Sequence, residues 1–149
     1  MRTLLCLCAV ACVPAGAPLP GVWTYTDGGV TSSTCGTDLY QDPDASFLLG
    51  RVTASGFQID DGGGEPFACT IDGDAFVCPE RAAEIVPIDG TGIELSYVVS
   101  IAGTVVDATH LEGVQTFAID CSGALCGIGA AVIGAEVPCA YTVAFTARL

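Results

Sequence analysis

The chain contains a single histidine, and any acid–base chemistry would start there. His110, with Asp107 three residues before it and any of several serines, could be drawn as a nucleophile–base–acid set. Such a set needs a serine on a strained elbow of the G-x-S-x-G kind, and the sequence has none. Cys121-x4-Cys126 grazes the spacing of a thiolate metal pair, but no second pair accompanies it. Asp38, Asp42 and Asp44 in "DLYQDPDASF" are the candidate metal ligands, because calcium wants clustered oxygens and a long loop would add backbone carbonyls. Asp60, Asp61 and Glu65 around "DDGGGE" form a second acidic turn of the same kind. Neither has the D-x-[DN]-x-[DN]-G spacing, so both read as solvated turns first and calcium sites second. No two carboxylates stand apart as a glycosidase pair. The expectation is a protein that is not an enzyme, with no catalytic residue and no cofactor.

Composition narrows the partners. Four arginines and no lysine stand against 17 acidic residues, for a net charge of −13. Arg51, Arg81 and Arg148, scattered along the body of the chain, cannot form the basic patch that nucleic acid or an anionic membrane surface requires. Nineteen glycines argue for turns between strands rather than for helices. At 149 residues the chain is one domain with room for a core, and a monomer is expected.

The opening residues carry an address. Met1-Arg2 is a short positive start, and "TLLCLCAVA" over 3–11 is apolar but too short to span a bilayer as a helix. Ala9 and Ala11 then occupy the −3 and −1 positions before Cys12. Ala9-Val10-Ala11-Cys12 resembles a bacterial lipobox, which implies a signal peptide over 1–11, a lipid on Cys12 and a short Pro/Ala tether to residue 20. The same A-x-A triplet also suits ordinary secretory cleavage, and a first buried strand is a third reading. By analogy with enteric lipoproteins, Val13 in place of Asp after the lipidated cysteine implies the outer membrane, on its periplasmic or cell-surface face. Discarding Cys6 and Cys8 with the leader and acylating Cys12 leaves six cysteines in 21–149, an even number suited to an oxidised exported domain.

Six cysteines permit 15 connectivities, which local patterns narrow. "FACTIDGDAFVC" reads as a hairpin turning at 72–75, which sets Cys69 opposite Cys78. "CSGALC" brackets a tight loop between Cys121 and Cys126, and Cys35 and Cys139 remain to join the two ends of the domain.

Period-two alternation predicts ten strands, over 22–26, 47–53, 56–59, 67–71, 76–78, 84–88, 92–101, 104–111, 114–121 and 138–148. Residues 79–84 could add one helical turn with Pro79 first, 31–45 reads as a long loop, and the apolar stretch 127–135 as a loop or a thin strand. Sequential strands joined by short turns make an antiparallel meander, and eight to ten of them remove their edges by closing into a small barrel, with a β-sandwich as the alternative. A porin-like membrane barrel would need aromatic girdles, which 11 aromatics and strand-borne cysteines do not supply.

Gly21-Val22-Trp23 opens the first strand as G-x-W, and with Arg148 on the last strand it resembles the lipocalin and wider calycin barrels. The resemblance implies that Trp23 closes one barrel end under Arg148, through a cation–π contact. The T-D-Y motif of lipocalins is missing. Together with the paired cysteines, the pattern is also similar to small envelope lipoproteins of high-GC Gram-negative bacteria. Two functions follow as expectations: a lipoprotein binding a small apolar ligand in the barrel, or a structural or protein-interaction module with a filled core. Inward Phe67, Phe76, Tyr97 and Phe117 would fill the interior, while small side chains would leave room.

Overall fold

The computed structural model describes residues 16–35, 45–88, 92–133 and 136–149. The leader, Cys12 and the calcium candidates Asp38, Asp42 and Asp44 lie outside them. Eight antiparallel strands run β1 (Gly21–Ser33), β2 (Ala45–Thr53), β3 (Gly56–Asp60), β4 (Phe67–Asp72), β5 (Ala75–Ile88), β6 (Ile93–Asp107), β7 (His110–Ser122) and β8 (Cys139–Arg148). Each pairs with the next, and β8 returns to β1, so the sheet closes into a barrel. Closure pairs every strand on both sides around the shorter end, while among the described residues β1 beyond Tyr25 and β5 beyond Val77 are paired on one side only, with β8 and β6 respectively.

Alternation decides which face each residue takes. In β6, Ile93, Leu95, Val99, Ile101 and Val105 are buried, with the intervening positions partly or fully exposed. The barrel is lopsided, because β2, β3 and β4 span only 9, 5 and 6 residues while β5 and β6 span 14 and 15. One end is solid, with Trp23, Leu49, Phe57, Phe76 and Leu111 all at most 2% exposed. At the other end the long strands rise past the short ones, and half-buried Tyr97 and Tyr141 pack against Cys35, Ile119 and Cys139.

Several expectations are corrected. The segment 76–78, the supposed helical turn at 79–84 and the segment 84–88 are one strand, β5. Register shifts between Cys78 and Arg81 and between Ala82 and Glu84 break its ladder to β6. Pro79 falls in the first irregularity, where its missing N–H costs no regular ladder bond. The break drawn between 101 and 104 is absent: β6 runs through Gly103, and the chain reverses instead at 108–109, where Asp107 Oδ1 accepts hydrogen bonds from Thr109 N (2.7 Å) and Oγ1 (2.8 Å). Residues 31–33, assigned to a loop, extend β1, with Ser33 paired to Tyr141. Residues 127–133 are neither loop nor strand, since Cys126–Ile133 forms a helix, α1. Its residues are apolar or glycine throughout and show no period, which hid the helix from a pattern search.

Nor are residues 16–20 a featureless tether. Ala17 and Pro18 are buried, and Leu19 N–H donates to Ala108 O at 2.8 Å. Trp23 Nε1–H donates to Leu19 O at 3.0 Å. The segment therefore caps the solid end and satisfies the one polar atom of its largest side chain.

Two inward glycines lie side by side across the sheet. Phe76 pairs with Gly103, Gly103 with Gly113, and Gly113 with Phe145. Both phenyl rings close over the glycines: a Cβ on Gly103 would come within 2.8 Å of the Phe76 ring, and one on Gly113 within 3.0 Å of Phe145. Aromatic cover over glycine lets the sheet curve sharply without opening a void.

Disulfides join Cys35 to Cys139, Cys69 to Cys78 and Cys121 to Cys126, with Cα separations of 5.0, 4.0 and 5.8 Å. Three disulfides in one small domain are the pattern of proteins exported from the reducing cytoplasm.

Candidate functional site

Above the solid end, the barrel holds a hollow of about 210 Å³. It lies where the short strands stop, bounded by the first residues of β2 (Ala45, Ser46, Phe47), the end of β3 and the start of β4. Phe67, Phe117 and Phe145 supply aromatic walls, and Ile59, Ile101 and Leu111 aliphatic ones. Of the four aromatics expected inward, Phe67 and Phe117 line the hollow, Phe76 belongs to the solid core, and Tyr97 packs near the Cys35–Cys139 bond. Phe117 continues outward as a stack on Tyr141, with ring centroids 4.8 Å apart. Burial pushes the Tyr141 hydroxyl pKa up, and the neighbouring Tyr97 adds to the shift.

The walls carry few polar groups. Tyr25, whose ring stacks on Phe145 at 5.4 Å, donates its hydroxyl proton to Gln115 Oε1 at 3.4 Å. Asp61, beside the mouth, is held by Arg81 of β5. The guanidinium meets both carboxylate oxygens, at 3.2 and 2.7 Å, and also donates to Glu65 O. It lies over the Phe67 ring at 3.8 Å from its centroid, so one cation clamps the β3–β4 turn and backs a wall of the hollow. Partial burial raises the Asp61 pKa, but the Arg81 hydrogen bonds, the Gly63 N–H and the Arg81 charge outweigh it, leaving the carboxyl below its ordinary value.

This pair makes stability depend on pH. A carboxyl with a depressed folded pKa contributes stability that is complete above its unfolded value, ~3.9, and is lost as pH falls through the folded value. Thermal unfolding followed by circular dichroism should show wild-type protein losing stability below about pH 4, and Asp61→Asn losing less over the same range. Because Asp61 is 37% exposed, the difference should stay under about 1 kcal/mol.

The second acidic turn is thus an arginine clamp, with Asp60 Oδ1 and Asp61 Oδ1 accepting from Gly62 and Gly63 N–H at 3.0 and 2.9 Å. Among the described residues no three acidic, histidine or cysteine side chains gather as a metal site. His110 and Asp107 do not form a dyad: the Asp107 carboxylate is taken by Thr109, which with its backbone N–H holds the pKa down, while His110 Nε2 lies 3.1 Å from Glu112 Oε1.

Arg148 does not cover Trp23. It pairs across the ladder with Thr24, and the parity that turns Trp23 inward leaves Thr24 and Arg148 exposed on the outside. Gly21 sits at the start of β1, where a Cβ would meet the Leu149 side chain at 2.5 Å. Sequence reasoning passed over Gln115 and Arg81. Gln115 shares inward parity with Leu111, Phe117 and Ile119, and one polar residue in an otherwise apolar alternation was the available signal. Arg81 stands at the β5 irregularity, where no periodicity announces a direction. Compared with family models, curated proteins and solved structures, the chain matches none of them.

Proposed function

We propose that this protein is a non-enzymatic lipoprotein of the cell envelope that holds a small apolar molecule in the open half of its barrel. The observation that carries the reading is the hollow of about 210 Å³, walled by phenyl and aliphatic groups, in a barrel whose other half is packed solid. An apolar cavity of ~150 Å³ stays dry and accepts benzene, so this one suits a single ring or a short branched chain. The G-x-W opening fits a calycin-like barrel closed at one end by Trp23, although the closing partner is the 17–20 segment rather than Arg148.

The address rests on the Ala9-Val10-Ala11-Cys12 pattern and on the three disulfides. Cys12 stands five residues before buried Ala17. Five extended residues reach at most ~18 Å, so a lipid there would hold the solid end toward the bilayer and the hollow away from it. Intact mass of protein from its native host tests this directly. The expected mass starts at Cys12 with three acyl chains and shows six alkylatable thiols only after reduction. A chain starting at residue 12 without lipid would make the protein freely secreted, and an uncut chain with nine free thiols would remove the export argument.

Ligand binding is tested by titrating the full protein with ethylbenzene in a calorimeter, where saturable binding to one site is expected. Absence of binding would transfer the function to the second reading, an interaction module whose core needs no guest.

A further inference from the structure

The lining of the hollow specifies more than an apolar guest, and this step rests on the binding reading above. Among the described lining residues Asp61 is the one charged group, and its carboxylate is already bound by Arg81. Among the described lining residues no cation is left to receive an acid, and the chain as a whole carries −13. An incoming carboxylate would lose its hydration beside another carboxylate, a cost nothing here offsets. The volume likewise excludes a long acyl chain.

Polar recognition falls to Gln115. The Tyr25 hydroxyl donates to its Oε1, which orients the amide. The Nε2 hydrogens have no partner among the described residues, and the side chain lines the hollow. We propose that the cavity selects neutral single-ring molecules bearing one hydrogen-bond acceptor, such as a ketone or aldehyde oxygen, which the Gln115 amide N–H meets. Gln115 is the specificity-determining residue, and Tyr25 positions it.

Three probes of similar size separate the elements: acetophenone, ethylbenzene and benzoate, titrated into the full protein by calorimetry. Acetophenone should bind roughly tenfold more tightly than ethylbenzene, the scale of one added hydrogen bond, and benzoate should not bind. In Gln115→Leu the ratio of acetophenone to ethylbenzene affinity should fall from roughly tenfold to about one. Equal binding of the two neutral probes by wild type would overturn the selectivity and leave the cavity reading standing, and that comparison needs no variant to fold. A preference retained in Gln115→Leu would overturn the role of the amide. Benzoate binding as well as acetophenone would overturn the charge argument. Failure of both neutral probes would remove the cavity reading and this inference with it.

Discussion

Oxidised protein in which Cys35 and Cys139 are both replaced by alanine is expected to unfold about 4 kcal/mol more easily than wild type, a fall of roughly 15 °C in midpoint. The bond spans 104 residues, so on the chain-entropy model it removes far more freedom from the unfolded chain than the bonds spanning 9 and 5. The folded partners stay in place without it, because Thr34 N donates to Ala140 O at 2.8 Å and Ala140 N donates to Thr34 Oγ1 at 2.9 Å. The loss should therefore come from the unfolded state, with far-ultraviolet dichroism at low temperature unchanged. Replacing Cys121 and Cys126 should cost only about 2 kcal/mol on the same model. Urea titrations of the two double variants decide the matter: equal losses would mean that loop length does not govern stability here.

Gly113→Ala should be a severely damaging change for a single methyl group, lowering stability by about 2–3 kcal/mol. The new Cβ would stand 2.4 Å from Ala102 O and 3.0 Å from Phe145 Cε1. The first of these is backbone held in the β6–β7 ladder, so no rotamer change relieves it. Gly103→Ala meets the same obstacle, with Glu112 O at 2.3 Å and the Phe76 ring at 2.8 Å. Gly50→Ala is the control, because nothing lies within 4 Å of its added carbon, and its effect should stay within about 0.5 kcal/mol. Shortening Phe145 in the Gly113→Ala background should recover only a minor part of the loss, since the ring is the softer of the two clashes. Full recovery would show that ring packing rather than sheet curvature demands the glycine.

Closure into one ring of eight strands was legible because the signals are local. Alternation marks the inward face of β6, and "DGDA" between Cys69 and Cys78 fixes a hairpin whose register brings those sulfurs together. With two short loops closed, Cys35 and Cys139 had only each other, and the ring needs its first and last strands adjacent. Where local signals conflict with closure, closure prevails. Gly103 and Pro79 both read as breaks, yet aromatic cover keeps one in its strand and a register shift accommodates the other.

The amino-acid sequence by itself determined the all-β class, the antiparallel order and the pairing of the cysteines, because each follows from neighbours a few residues apart or from elimination among six. Only the tertiary structure decided where the barrel is filled and where it is hollow. That depends on β2–β4 ending lower than β5–β8, and on which distant side chains the closed ring brings face to face. Tyr25 and Gln115 are 90 residues apart and Asp61 and Arg81 are 20 apart. Their contacts arise from the ring's stagger, a property of all eight strands together.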